Sequence, residues 1–222
     1  MIDKVYKEVE KLLASDNSGH GMNHINRVVK LACVFADNES ANKDIVTLIA
    51  LLHDVDDYKL FGETNLANAK EIMIKCNIDD NTKEIILKAI STIGYSKRIS
   101  GITPESIEAK VVSDADMCDA LGASGILRTY AYSKEHNRPF FDKDTFPNIN
   151  LTVDDYKKGS ASGVNHIFEK ILRLPKMMLT KSGRKEAIKR QKIVVDFLFN
   201  LFEEEDALKW RTFLINYIRD NN

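Results

Sequence analysis

The sequence predicts an all-α fold. Apolar residues recur at spacings of three and four along most of the chain, and cap-type residues precede many of these stripes. No stretch alternates apolar and polar residues for long enough to indicate a sheet. With 222 residues the chain is long enough for one substantial core and short for two, so we expect a single domain over residues 1–222.

The first half of the chain predicts a series of amphipathic helices. A first helix ends in the turn at 15–19, and a second runs over about 22–38. A third contains the apolar run that stops at His53-Asp54, and a fourth and fifth have stripes over 66–76 and 85–93, the fifth ended by Gly94. A sixth starts at Thr103-Pro104-Glu105 and runs to Asp119. The predicted caps are Asp3, then Asn42 or Asp44, then Asn81 and Thr103.

The second half predicts further helices separated by one long loop. After a helix near 126–134, residues 136–152 contain two prolines and no helical period, which indicates a surface loop or lid. The C-terminal region, about 163–220, predicts a helix over 164–174 ended by Pro175, a long one over 182–205, and a last short one around Trp210.

Composition and charge exclude several classes of protein. The formal charge is -1, with 32 Lys plus Arg against 33 Asp plus Glu, so no overall field favours a nucleic acid polymer. The longest apolar run, 45–52, is far shorter than a membrane span, and the N-terminus has acids where a signal peptide is apolar. We therefore expect a cytoplasmic protein with reduced thiols at Cys33, Cys76 and Cys118.

Histidines and aspartates occur where the predicted helices reach the edge of the core. His53 and Asp54 end the apolar run 48–58, His24 lies near the start of the second helix, and Asp116 lies near the end of the sixth. Two imidazoles and two carboxylates suit a divalent metal that activates water for phosphate hydrolysis. Asp114 is the alternative to Asp116, because residues two apart on a helix point about 200° apart and only one of them can face the metal.

The order of these residues resembles a known signature. His24, then His53-Asp54, then Asp116 is similar to the H…HD…D pattern of the HD-domain metal-dependent phosphohydrolase superfamily. Four strings resemble its small stand-alone bacterial members, the YedJ/YpgQ-like group, from about Gly19 to Glu205. They are GHGMNHINRVVKLA, LLHDVDDYK, SDADMCDALGASGILRTYAYS and NHIFEKILRL.

The resemblance implies an HD-domain helical bundle with additional C-terminal helices and a metal-site core over about 19–125. It implies one divalent metal, with Mn as the leading expectation and Fe, Co, Ni, Zn or Mg as alternatives. The metal ligands it implies are His24, His53, Asp54 and Asp116. The chain departs from the group at Met117 and Cys118, where Arg and Leu are frequent, which removes any substrate contact of that arginine but not the metal.

The resemblance and the chemistry also suggest residues around the metal. Asp57, four residues after His53, matches an acidic position beside the metal water in related enzymes, so we expect Asp57, together with Asp54, to be catalytic. Substrate phosphates need cations, and two histidines could line the same pocket. These substrate-binding candidates are Arg27, Lys59, Lys97, Arg128, Lys170, His20 and His166.

The sequence thus predicts a metal-dependent phosphohydrolase of a small phosphorylated substrate, with a nucleotide as the leading expectation, acting as a monomer or homodimer. Cleavage between the α and β phosphates and removal of a terminal phosphate both stay open. The alternatives are a non-catalytic nucleotide- or metal-binding HD module, and a phosphodiesterase or di-metal oxygenase of the same fold. In the oxygenase, Asp56, Asp57 or His20 would bind a second metal.

Overall fold

Helices form all of the regular structure in the part of the chain that this computed structural model describes, residues 1–14, 21–150 and 159–221. The all-α prediction is therefore confirmed. The α-helices, numbered in chain order, are α1 (Ile2–Leu12), α2 (Met22–Glu39), α3 (Lys43–Leu52), α4 (Tyr58–Phe61), α5 (Ala67–Lys75), α6 (Asp80–Ile90), α7 (Tyr95–Ile99), α8 (Ile107–Asp119), α9 (Gly122–Glu135), α10 (Gly163–Glu169), α11 (Lys181–Glu204) and α12 (Leu208–Asn221). A 3-10 helix, Ile171–Met177, follows α10.

The chain divides into two compact units. The first comprises Met1–Asp119 and Met178–Lys185, and the second comprises Ala120–Met177 and Glu186–Asn222. The expectation of a single domain over residues 1–222 stays a prediction.

Helix α3 is the centre of the first unit. It packs against α1, α2, α6 and α8, and α2 in turn packs against α8. A helix that is apolar on all sides is buried in a core, and α3 buries six residues: Val46, Leu48, Ile49, Ala50, Leu51 and Leu52. Of the two predicted caps, Asn42 and Asp44, it is Asn42 that caps the helix, accepting hydrogen bonds from the backbone N–H groups of Asp44 and Ile45. Because α3 ends with His53 as its C-cap, the His-Asp pair lies at the edge of the core, where the buried helix ends.

Two predicted caps are wrong. Asp3 lies in the first turn of α1, whose N-cap is Met1, so Asp3 acts there only as a favourable charge near the helix N-terminus. Asn81 lies inside α6, whose cap is Asp79. A capping residue needs an extended backbone, which Asp79 has, and its side chain accepts a 2.9 Å hydrogen bond from the N–H of Thr82.

Two boundaries also differ from the prediction. Helix α8 begins at Ile107 rather than at Thr103, and Ser106 Oγ accepts a 3.1 Å hydrogen bond from the N–H of Ala109. Both Thr103 and Ser106 are cap-type residues, and the sequence does not decide between them. Gly94 does not end α6, which stops at Ile90; it precedes the short helix α7 with φ +116, a conformation that favours glycine.

The second unit is built around an aromatic cluster. Phe168 of α10 contacts the rings of Phe202, Trp210, Phe213 and Tyr217. The hydroxyl of Tyr217 donates a 3.1 Å hydrogen bond to the Phe168 carbonyl, which satisfies the one polar atom that this ring buries. This cluster explains the aromatic periodicity at the C-terminus, where α12 is longer than the short helix expected.

The predicted helix over 164–174 is interrupted. Helix α10 ends at Glu169, with Lys170 as C-cap, and Pro175 lies inside the 3-10 helix that follows. Proline blocks continuation of an α-helix but fits the shorter 3-10 turns. The chain therefore changes helix type earlier than the proline alone indicates.

The predicted loop over 136–152 has neither helix nor strand in its described part, 136–150. Its residues pack on the aromatic cluster, since Phe146 stacks on Trp210 with ring centroids 4.4 Å apart and Trp210 Nε1 donates a 2.9 Å hydrogen bond to the Lys143 carbonyl. Residues 151 and 152 are outside the described residues, and a lid function stays a prediction. Among the described residues, none of the helices combines the length and apolar character that crossing a membrane requires.

Candidate metal site

The candidate metal site forms where α2, α3 and α8 pack against one another. His24 lies in the first turn of α2, His53 is the C-cap of α3 with Asp54 next to it, and Asp116 lies in the last turn of α8. Residues far apart in the sequence therefore meet because three helices of one core end or begin at the same place.

His24, His53 and Asp54 offer ligand atoms that all lie within 4.8 Å of one another, and Asp116 lies beside the two histidines. Nε2 of His24 lies 3.3 Å from Nε2 of His53 and 3.4 Å from an oxygen of Asp54. Oδ1 of Asp116 lies 3.5 Å from Nε2 of His24 and 3.9 Å from Nε2 of His53. Ligand atoms that share an ion at about 2.0–2.2 Å are themselves about 3.0–3.5 Å apart in ordinary coordination geometries. The arrangement thus fits a divalent metal.

The orientation of both histidines supports the same interpretation. His24 Nδ1 lies 2.7 Å from Oδ2 of Asp119, and His53 Nδ1 lies 2.8 Å from the Ala50 carbonyl oxygen. Both partners are acceptors, so each Nδ1 carries a proton and each Nε2 lone pair points toward the other histidine. Two lone pairs at 3.3 Å repel unless a proton or a metal ion lies between them.

The carboxylates favour a positive charge at this point. Burial lowers the pKa of an imidazole, but the hydrogen bonds of His24 to Asp119 and Asp54 and the charges of Asp54 and Asp116 outweigh burial and raise the pKa of His24 to about 9. Without a metal, His24 is therefore an imidazolium at neutral pH. The proton that it holds is the charge that a metal ion would replace.

The site is buried on its histidine side and open on its carboxylate side. The side chains of His24 and His53 are each 1% exposed, whereas Asp54 is 15% and Asp116 is 23% exposed. A catalytic metal site keeps positions free for water and substrate. The exposed carboxylates show where such positions would lie.

Asp114, the alternative ligand, points elsewhere. It is fully buried, and its oxygens accept hydrogen bonds from the N–H of Leu179 at 2.9 and 3.0 Å and from the N–H and Oγ1 of Thr180 at 2.8 and 2.7 Å. A Cβ on Gly183 would lie 2.3 Å from Oδ2 of Asp114, so only glycine fits there. Burial raises the pKa of Asp114, although these donors oppose the change. Asp114 anchors residues 178–185 to α8.

Comparison with known proteins identifies the family to which this chain belongs. The family model for the HD domain matches residues 21–121, a range that contains all four candidate ligands. A crystal structure of an HD-superfamily hydrolase from Bacillus thuringiensis is 31% identical, with 93% of this chain and 97% of that chain covered and a TM-score of 0.72. The chain belongs to the HD superfamily.

Two further structures extend the comparison. A Lactobacillus plantarum protein is 29% identical, with 93% of this chain and 97% of that chain covered and a TM-score of 0.82. Bacillus subtilis YpgQ in complex with ADP is 26% identical, with 92% of this chain and 97% of that chain covered and a TM-score of 0.71. The predicted HD fold and the similarity to YpgQ are therefore confirmed, and membership indicates a hydrolase-type enzyme in general terms.

The two acids that follow the HD pair differ in their surroundings. Asp56 accepts hydrogen bonds from the N–H groups of Asn68 and Ala69 at 3.0 and 2.9 Å, so it satisfies the N-terminus of α5. This contact turns Asp56 away from the role of second-metal ligand that the oxygenase alternative needs. Asp57 is half-buried in the turn before α4, and its carbonyl accepts from the N–H groups of Leu60 and Phe61.

The sequence-based site omits one residue that this HD chain brings next to the histidines. Asp119, 2% exposed, contacts His24 at 2.7 Å and binds Arg27 through two hydrogen bonds, from Nε to Oδ1 at 2.7 Å and from Nη2 to Oδ2 at 2.9 Å. Burial alone would raise the pKa of Asp119, but His24 and Arg27 hold it well below its usual range. The spacing of three between Asp116 and Asp119 puts both on one face of α8, which is the signal that could have identified Asp119.

The other predicted substrate residues are distributed over both units. In the first unit Lys97 of α7 is exposed, and Lys59 lies on α4 with a side chain outside the described atoms. Arg128, His166 and Lys170 belong to the second unit and are half-buried there, with His166 Nδ1 3.5 Å from Ser160 Oγ. His20 lies outside the described residues, so its predicted position beside the pocket is untested.

Proposed function

We propose that this HD-superfamily protein is a metal-dependent phosphohydrolase of a small phosphorylated molecule, and that the molecule is a nucleotide. The observation behind the proposal is a group of two imidazole nitrogens 3.3 Å apart and two partly exposed carboxylates whose oxygens lie 3.4 to 3.9 Å from these nitrogens. Such a group can bind one divalent cation and leave positions open on one side.

In this proposal His24, His53, Asp54 and Asp116 hold the ion. When bound, the metal would polarise a phosphate oxygen and lower the pKa of water. The mixed nitrogen and oxygen ligands suit Mn, Fe, Co, Ni or Zn, and cellular availability helps to decide among them. Mn is the leading candidate in this proposal, and Mg is a further one.

Asp57 is the proposed general acid or base, and Asp54 contributes both to metal binding and to the chemistry. Asp57 lies in the turn directly after the HD pair, and its backbone N–H donates a 3.1 Å hydrogen bond to the Asp54 carbonyl. This bond limits how far the two residues can move apart. A general acid or base contributes about 10²–10⁴-fold to turnover, so Asp57→Asn should lower kcat by that factor and leave metal affinity unchanged.

A nucleotide is the proposed substrate because YpgQ, which this chain resembles over most of its length, was crystallised with ADP. Phosphate charge needs cationic partners, and Arg27, Lys59, Lys97, Arg128, Lys170 and the two histidines His20 and His166 remain the sequence-based candidates. Arg27 already binds the carboxylate of Asp119. A cytoplasmic location and a monomeric or homodimeric state belong to the proposal as well.

The decisive experiment is product analysis. Metal-stripped protein receives Mn²⁺, Co²⁺, Ni²⁺ or Mg²⁺ in turn, together with a panel of nucleoside mono-, di- and triphosphates. Pyrophosphate plus monophosphate would show cleavage between the α and β phosphates, whereas orthophosphate alone would show a phosphatase.

Two variants make this result interpretable. Asp54→Ala should abolish turnover while the helical circular dichroism spectrum is retained. Asp37→Ala is the matched control, because Asp37 is an exposed acid that pairs only with Lys43 in the contacts described for it. Full activity of Asp54→Ala would refute the proposed site, and an inert parent protein with every metal would refute the proposed function.

A further inference from the structure

We propose that Asp119 is a positioning residue for the candidate metal site, held in place by Arg27, and that it sets which nitrogen of His24 faces the metal. The inference rests on the proposed function insofar as it concerns the same metal. Asp119 itself does not contact the ion in this proposal. It acts through His24, with which it shares a 2.7 Å hydrogen bond.

The first step is the tautomer of His24. A carboxylate that also receives two hydrogen bonds from a guanidinium acts as an acceptor. His24 Nδ1 must then be the donor, which makes Nε2 the nitrogen that faces the candidate metal site. A histidine that donates to a carboxylate is oriented and made a stronger metal ligand.

The second step is the orientation of Asp119. Arg27 lies three residues after His24 on α2, so both side chains extend from one face of that helix to the same carboxylate. Arg27 binds both oxygens, and its planar guanidinium fixes the carboxylate plane in a way that a lysine cannot reproduce. A carboxylate that is 2% exposed also needs this positive partner to offset its burial.

The third step is the contrast between the two histidines. His53 Nδ1 faces a neutral acceptor, the carbonyl of Ala50, whereas His24 Nδ1 faces an anion. Hydrogen bonds to charged groups are about twice as strong as those between neutral groups. Loss of Asp119 should therefore affect His24 and leave the orientation of His53 unchanged.

This inference also gives Arg27 a different function from the phosphate contact that the sequence suggested. The two functions predict different kinetics. A phosphate-binding arginine changes KM at saturating metal, while an arginine that holds Asp119 changes metal affinity and leaves KM nearly constant.

The test measures metal affinity, tautomer and kinetics in the full chain. Mn²⁺ affinity is measured by competition with a chelator for the parent, Asp119→Asn, Arg27→Lys and the double variant. Lys30→Ala is the control, because Lys30 is an exposed cation three residues after Arg27 on the same helix. The tautomer of His24 is read from ¹⁵N chemical shifts of the Zn²⁺-loaded parent.

The expected results are specific. Asp119→Asn weakens Mn²⁺ binding about 10–100-fold, the usual effect of removing a partner of a metal-bound histidine. Arg27→Lys weakens it less, by about fivefold, because it keeps the charge and loses the paired hydrogen bonds. The double variant is no weaker than Asp119→Asn alone, since both changes remove one interaction. The spectrum shows a proton on His24 Nδ1.

Three results would overturn the inference. They are Mn²⁺ affinity of folded Asp119→Asn within about twofold of the parent, a metal-bound His24 Nδ1, and an Arg27→Lys variant whose KM rises while its metal affinity is unchanged. If Asp119→Asn does not fold, Arg27→Lys and the parent spectrum still decide. The affinity and tautomer measurements need no turnover, so an inert protein that binds metal refutes the proposed function and leaves this inference standing.

Discussion

The first unit contains two pairs of aspartates separated by one residue, Asp54 and Asp56 after α3 and Asp114 and Asp116 on α8. In each pair one member lies beside His24 and the other binds backbone N–H groups. Asp56 satisfies the start of α5, and Asp114 holds residues 179 and 180. Aspartates only two residues apart thus have different functions: one belongs to the candidate metal site, and the other binds backbone N–H groups that hold the fold together.

The difference lies in the available donors. On α8, residues two apart point in nearly opposite directions. Asp114 therefore contacts residues 179 and 180, whereas Asp116 faces the histidines of α2 and α3. A carboxylate with several backbone donors is satisfied without a metal. A carboxylate beside two imidazoles whose Nδ1 atoms are already bonded is best satisfied by a cation.

The largest expected effect separates the two acids of α8. Asp116→Ala should reduce turnover by more than about a hundredfold, because even the indirect partners of a metal cost about 10–100-fold when removed. Its thermal midpoint should change little, since Asp116 is the more exposed acid of the pair. The measurement is kcat at saturating Mn²⁺ beside a thermal melt. Parent-like turnover would remove Asp116 from the ligand set.

The next largest effect concerns Asp114, whose loss should lower stability rather than metal binding. Asp114→Ala leaves the N–H groups of half-buried Leu179 and buried Thr180 without their acceptor, and each buried group left unsatisfied costs about 1–3 kcal/mol. We expect the free energy of unfolding to fall by about 3 kcal/mol in denaturant titration. The fraction that stays folded should keep its Mn²⁺ affinity. Normal stability with lost metal binding would exchange the functions of Asp114 and Asp116.

These pairs also show how far sequence reasoning reaches. Helical geometry establishes that Asp114 and Asp116 cannot both face the metal, but the choice depends on Leu179 and Thr180, more than sixty residues later in the chain. The all-α class and the order of the metal-site helices follow from local periodicity, which is why α2 and α3 are predicted nearly to the residue. Contacts between residues far apart in the sequence produce no local periodicity, so they could not be predicted in this way.

The missed residue Asp119 and the wrong cap of α6 have related physical causes. Asp119 has a local signal, its spacing of three from Asp116, but its partners His24 and Arg27 are on another helix. The phosphate contact of Arg27 stays a prediction from a resembling string, and that string gives no sign of the buried acid that Arg27 also binds. The cap of α6 was placed at Asn81 instead of Asp79 because both residues suit a helix start and only the backbone conformation decides.

A smaller effect concerns protons at the site. Because the pKa of His24 is raised to about 9, a metal must displace a proton at any lower pH. The apparent Mn²⁺ affinity should therefore rise about tenfold per pH unit between 7 and 9 and level off above that range. Calorimetry in buffers of different ionisation enthalpy should show about one proton released per metal. Affinity that is independent of pH would mean that His24 is already neutral.

The smallest effect tests the scaffold acid beside the HD pair. Asp56→Ala removes the acceptor for the N–H groups of Asn68 and Ala69 at the start of α5, and loss of such a cap costs about 1 kcal/mol. Turnover and Mn²⁺ affinity should stay within about twofold of the parent, because Asp56 points toward α5. Asn68→Ala is a useful companion, since it removes only the side-chain bond to the Val55 carbonyl and keeps the backbone donor. A drop in metal stoichiometry from two to one in Asp56→Ala would instead place this acid at a second ion and favour the di-metal alternative.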